Sequence, residues 1–143
     1  MAVITILGSG MMGSAMSYPA RANGNEVRLV GSPLDGAIIE GLKKDDYHIT
    51  LKRTLPKGVK YYYIDELSQA LEGADLLISG VSSFGVDWFA NEILPILPDS
   101  LPILGITKGM FDMEDGSLVP YPVYYKSLPQ GKNKRFYAVG GPC

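Results

Sequence analysis

Short apolar runs alternate with amphipathic stretches along most of the chain. Val3 to Leu7 is continuous, apolar and partly β-branched, the pattern of a strand covered on both faces. Glycines follow at once. Met12, Ala15, Met16 and Pro19 then fall near one helical face, which predicts a helix over Met11 to Ala22 that Pro19 kinks or ends early. Asn23, Gly24 and Asn25 supply turn chemistry, and Glu26 to Val30 reads as a second strand. A further helix is expected between Pro33 and Lys44, and mainly loop from Asp45 to Gly58. Val59 to Ile64 suits a short strand. Asp65 can cap a helix with Leu67, Ala70, Leu71 and Ala74 at the spacing of a buried face, and Gly73 marks its end. Leu76 to Val81 is another apolar strand, after which Val86, Phe89, Ala90, Ile93 and Leu94 recur at helical spacing until Pro95 and Pro98. Pro102 to Thr107 gives the next strand. The rhythm weakens from Met110 to Tyr125, read as loop with one short helix, before a last strand at Arg135 to Val139 and the terminal Gly140-Gly141-Pro142-Cys143.

Strands alternating with amphipathic helices predict a doubly wound, mostly parallel α/β sheet with helices on both faces, since parallel neighbours need crossover connections. Ligands of such sheets bind beyond the carboxyl ends of the strands. Four places therefore matter: Gly8 to Gly13, Gly31 to Asp35, Ser82 to Gly85, and Thr107 to Gly109.

Composition narrows the classes. At 143 residues, 46% hydrophobic and 20% charged, the chain suits one folded domain, not disorder, a collagen-like repeat or a long coiled coil. A formal net charge of −2 supplies no positive field to hold a polyanion, so nucleic acid is not an expected partner. The apolar start carries no cation before Arg21 and is soon broken by glycine, so neither a signal peptide nor a membrane span is expected. The one cysteine, Cys143, cannot form an internal disulfide, and the expected compartment is the cytoplasm.

Gly8-Ser9-Gly10-Met11-Met12-Gly13 matches G-x-G-x-x-G directly after a strand and at the opening of a helix, the context that gives the motif meaning. Gly8 permits the tight turn, Gly10 lets backbone approach a pyrophosphate, and Gly13 allows helix to pack closely on strand. A Rossmann-type dinucleotide domain is the favoured reading, and glycines that only make a tight structural turn are the plainer alternative. After the second strand comes Gly31-Ser32-Pro33-Leu34-Asp35. Asp35 is a little late to hold a ribose, and the Ser32 hydroxyl tolerates a free ribose or a 2′-phosphate, so the cofactor is NAD or NADP, with NAD favoured. Lys108 follows an apolar strand and belongs at the same rim as the glycine loop, where a substrate would meet the nicotinamide; a solvated loop lysine is the plainer alternative. Ser82, Ser83 and Phe84 could border the cofactor, although Phe84 could equally be a buried anchor. His48 has no ligand-spaced partners and is read as solvated or locally hydrogen-bonded, without a role. The tyrosines read as packing and surface residues, and no metal site is expected.

Four segments, in order along nearly the whole chain, resemble the amino-terminal domain of NAD-dependent glycerol-3-phosphate dehydrogenase. They are Ile6 to Ala15, Gly24 to Gly31, Gly105-Ile106-Thr107-Lys108-Gly109, and Gly140-Gly141-Pro142. The glycine motif alone would also fit 2-dehydropantoate reductase; the Lys-Gly after a buried strand and the later Gly-Pro are more specific. The resemblance implies reversible hydride transfer between glycerol 3-phosphate and NAD(P), giving dihydroxyacetone phosphate and NAD(P)H. It implies that Gly8, Gly10, Met11, Met12 and Gly13 hold the pyrophosphate, and that Lys108 lies near the substrate oxygens and phosphate. Ser82 and Ser83 stand where the family often has Pro-Ser, and Ser32 replaces a frequent charged residue. The family continues into a helical substrate domain with a second lysine that acts as acid and base. Residues 1–143 are thus expected to be the dinucleotide domain alone, with weak or moderate cofactor binding, essentially no turnover, and an exposed face that could pair as a homodimer. The alternatives are a stand-alone nucleotide-binding or redox-sensing module, or a ketopantoate-reductase-like enzyme.

Overall fold

The computed structural model describes residues 1–139. Gly140-Gly141-Pro142 and Cys143, on which part of the resemblance rests, lie outside the described residues. Six strands form one parallel sheet: β1 (Val3–Leu7), β2 (Glu26–Val30), β3 (Lys60–Tyr62), β4 (Leu76–Ser79), β5 (Pro102–Gly105) and β6 (Arg135–Ala138). Their order across the sheet is β6-β5-β4-β1-β2-β3. The chain thus winds outward from β1 to β3, returns to the other side of β1 with β4, and winds outward again. That reversal opens a crevice between the ends of β1 and β4.

Strands β1 and β2 have the expected bounds: β1 because a parallel strand covered on both faces reads as a nearly continuous apolar run, β2 because the turn at Asn23 to Asn25 marks where it starts, while Val27, Leu29 and Val30 are buried and Glu26 and Arg28 half-buried. Ile4 and Ile6 pack on one face with Val27, Leu29, Ile39 and Leu42, and Leu7 packs on the other with Leu77, Phe89, Ala90 and Ile103. Thr5 also faces that second layer, where its hydroxyl donates to the Ala70 carbonyl at 2.5 Å. Helices α1 (Met11–Ala15), α2 (Ser17–Ala22) and α3 (Gly36–Asp45) precede α4 (Leu67–Leu71), α5 (Val86–Trp88) and α6 (Tyr121–Ser127).

Several elements differ from the sequence expectation. The first helix breaks at Met16, three residues before Pro19. A proline ring crowds the carbonyl four residues back, here Ala15, and its missing N–H removes the bond that would cross the break. Ser14 and Ser17 donate their hydroxyls to the Ser9 and Ser14 carbonyls at 3.0 and 2.6 Å, which bends the same turn. The helix after β3 is anchored not by Asp65 but by Glu66, whose Oε1 accepts the Tyr63 N–H at 3.0 Å. The helix after β4 passes from α5 into a π-helical turn at Phe89–Ile93, ahead of Pro95. Two stretches read as loop hold small antiparallel ladders, Tyr47–His48 with Arg53–Thr54 and Met110–Asp112 with Leu118–Pro120.

The strand ends are tied in step. The Gly8 N–H donates to Val30 O at 2.8 Å, Gly80 N–H to Leu7 O at 2.7 Å, Gly31 N–H to Tyr62 O at 3.0 Å and Ile106 N–H to Ser79 O at 3.1 Å. The loops leaving β1, β2, β4 and β5 consequently emerge side by side.

Candidate functional site

Those loops enclose a cavity of about 710 Å³. Every residue expected at the site lines it except Gly13: Gly8, Gly10, Met11 and Met12 from the first loop, Ser32 from the second, Ser82, Ser83 and Phe84 from the third, and Lys108 from the fourth. Gly13 lies one turn below, against backbone.

The three glycines of the motif have different surroundings. Gly8 has φ +102°, a region side chains rarely adopt, and a Cβ there would stand 2.6 Å from the Gly80 carbonyl carbon. A Cβ on Gly13 would stand 2.0 Å from the Gly8 carbonyl oxygen. Both are glycine because the fold demands it. Gly10 has ordinary φ (−65°), and a Cβ there would meet nothing within 4 Å among the described residues. Among the described residues no packing contact explains that glycine, which leaves a cradle of bare backbone on the cavity wall.

Asp35, just past Ser32, accepts the Ser32 N–H at 2.9 Å and the Ser9 N–H at 3.0 Å, both on Oδ2. It ties the glycine loop to the loop after β2. Phe84 is 96% exposed, so it stands free at the rim and is not a buried anchor. Thr107 donates its hydroxyl to Val81 O at 2.7 Å, joining the third and fourth loops beside Lys108. Lys108 is exposed on the wall, and among the described residues it and Asp35 are the cavity's charged side chains. Arg28 is engaged elsewhere, with Glu26 Oε2 at 2.6 Å and with the carbonyls of Ala70 and Glu72, as its place inside a strand suggests.

Sequence reasoning missed Gly80, Trp88 and Ile106 on the wall. Gly80 carries a readable signal, a glycine just after a buried strand; Trp88 is one helical turn from Phe84 and stands off the periodic apolar positions of its helix. His48 is locally hydrogen-bonded, as the second of the two expectations had it, but not solvated: it is completely buried beneath the glycine loop.

The strand order, the reversal between β1 and β4, and a glycine-lined crevice at that reversal define a dinucleotide-binding α/β domain of the Rossmann type. The model of the NAD-dependent glycerol-3-phosphate dehydrogenase N-terminus matches residues 3–142. The chain belongs to that family, as its N-terminal NAD-binding part. It is similar to the NADP(+)-dependent glycerol-3-phosphate dehydrogenase of Archaeoglobus fulgidus, 36% identical over 141 residues that cover 99% of this chain and 41% of that protein. The solved glycerol-3-phosphate dehydrogenase of Plasmodium falciparum superposes with a TM-score of 0.77 at 24% identity, over 96% of this chain and 40% of that one. A ketopantoate reductase of Ralstonia eutropha shares the fold at a TM-score of 0.62 and 18% identity, covering 94% and 39%. The chain therefore spans about two-fifths of the length of these relatives. No helix among the described residues is long and apolar enough to cross a membrane.

Proposed function

We propose that this chain binds NAD(P) in the crevice and that the complete protein interconverts glycerol 3-phosphate and dihydroxyacetone phosphate by hydride transfer. The open surroundings of Gly10 carry the reading: a glycine that no atom of the described residues requires, on a wall shared with Lys108, fits close approach by a phosphate-bearing ligand. The bare backbone of Gly8, Gly10, Met11 and Met12 receives the pyrophosphate, and Gly13 keeps the following helix tight against it. Ser32, Ser82, Ser83 and Phe84 border the remainder of the dinucleotide.

The nicotinamide, when bound, supplies or takes the hydride. Lys108 provides a fixed positive charge for the anionic oxygens of the substrate and for charge developing on the carbonyl oxygen. The acid–base step belongs to the complete protein, residues 1–143 forming its dinucleotide domain.

NAD is favoured over NADP. Asp35 places a carboxylate beside Ser32, whereas the cation of the described wall, Lys108, follows β5 on the other side of β1. A 2′-phosphate beside Ser32 would meet like charge. Self-association as a homodimer belongs to the same reading, on the strength of exposed Met110, Leu118, Tyr137 and Val139. So does a cytoplasmic location, on the single cysteine.

Trp88 is the chain's single tryptophan and lines the cavity, so its fluorescence reports binding directly. Titration with NADH and NADPH should give saturable quenching, tighter for NADH. A folded chain that binds neither would overturn the reading. In the complete protein, dihydroxyacetone phosphate should oxidise the reduced cofactor and ketopantoate should not.

A further inference from the structure

His48 lies in the ladder of Tyr47–His48 with Arg53–Thr54, outside the cavity wall, and is 0% exposed. Its Nδ1 accepts the Leu51 N–H at 3.0 Å, which closes the turn of that ladder. The ring proton must therefore sit on Nε2, which lies 2.6 Å from the Ser9 carbonyl and donates to it. A buried histidine from a distant ladder thus holds the second residue of the glycine motif from below.

We propose that His48 is a positioning residue of the dinucleotide site, setting the orientation of the Ser9–Gly10 peptide through its Nε2–H; the proposal rests on the dinucleotide reading above. In a trans peptide the C=O and the next N–H point in opposite directions, and the described chain contains no cis bond. His48 draws the Ser9 carbonyl into the interior, where Ser14 Oγ adds a second bond at 3.0 Å. The Gly10 N–H is thereby turned outward. Asp35 cannot do this, because the Ser9 N–H that it holds belongs to the preceding peptide, Gly8–Ser9. Gly10 itself offers little resistance to a flip, having no Cβ and open space around it. Removing the donor leaves the carbonyl with Ser14 alone and lowers the population of loops with the N–H turned outward, and apparent affinity falls by the same factor.

The test compares the chain with His48→Leu, His48→Asn and His48→Gln, each titrated with NADH and NADPH and followed by Trp88 fluorescence, with thermal unfolding alongside. The Gln amide reaches about as far as Nε2 and restores the donor. The Asn amide reaches only the Nδ1 position, so it serves the Leu51 N–H and not Ser9. Kd should weaken about tenfold in the Leu and Asn variants and return to within about threefold in the Gln variant. If Leu does not fold, the Asn and Gln pair makes the same comparison. Parent-like affinity in a folded Asn or Leu variant, or losses that follow thermal stability across the set, would overturn the proposal while leaving the cofactor site intact. No saturable binding by the folded parent is a different result: it would overturn the proposed function, and this inference with it.

Discussion

Gly13 and Gly80 meet backbone to backbone: a Cβ on Gly80 would stand 2.9 Å from the Gly13 Cα, and Gly80 Cα lies 3.7 Å from the place a Gly13 Cβ would take. The start of the first helix is in this way seated directly on the end of β4. The reversal of strand order puts β4 beside β1, and the two glycines let the helix after β1 sit low enough to open the crevice above it.

Alanine at either position should be destabilising, because the obstructing atoms are backbone and have no rotamer to yield. Gly13→Ala and Gly80→Ala are each expected to lose about 1–3 kcal/mol. Urea denaturation measures this, and a Gly13→Ala variant as stable as the parent would show that the contact relaxes freely.

Gly10→Ala should behave in the opposite way. With ordinary φ and, among the described residues, no neighbour within 4 Å of its Cβ, it should change stability by about 1 kcal/mol or less while weakening NADH binding severalfold. Equal affinity in the parent and the alanine variant would leave the glycine unexplained by a ligand.

Much of this was legible in the sequence where chemistry is local. β1 announces itself by its apolar run and β2 by the turn before it, and the rim positions of Ser32, Ser82 and Lys108 follow from where strands end. The sequence points to Pro19, but the helix breaks at Met16, because a proline acts on the turn before it. The ladder at Tyr47–His48 leaves no mark in the sequence, because two-residue strands have no period to detect. Asp35 and His48 act on Ser9 from 26 and 39 residues away, and no spacing rule links such positions before the fold brings them together.

Asp35 offers a test of the tie between loops. Asp35→Ala leaves the Ser9 and Ser32 N–H groups without their acceptor and should lower stability by about 1–2 kcal/mol, with weaker NADH binding. Asp35→Asn keeps an acceptor oxygen and should lie between alanine and the parent. Denaturation and titration of the two variants together check the order.

Glu66 predicts a pH dependence. Its carboxylate accepts the Tyr63 N–H and pairs with Lys43 at 3.1 Å, and these bonds hold its pKa below the ordinary 4.5. A lowered folded value means that the unfolded chain binds the proton more readily, so the charge stabilises the fold above about pH 4.5 and stops doing so as pH falls through the folded value. The stability difference between the parent and Glu66→Gln should be largest near pH 7 and shrink below pH 4.5. Urea midpoints of the two proteins across that range measure the difference directly.

Lys108 separates chemistry from architecture most cleanly. Its side chain is exposed on the cavity wall, so Lys108→Ala should leave stability within about 0.5 kcal/mol of the parent. Its charge has no neighbouring cation on the described wall to replace it. In the complete protein the same change should lower kcat/KM for dihydroxyacetone phosphate about a hundredfold, the scale of losing one well-placed stabilising group. Lys108→Arg keeps the charge but not the compact ammonium, and should recover substrate affinity more than kcat. Steady-state kinetics on both variants distinguish a positioned cation from a general field: unchanged kinetics in the alanine variant would remove Lys108 from the site and leave the glycine cradle as the chain's contribution.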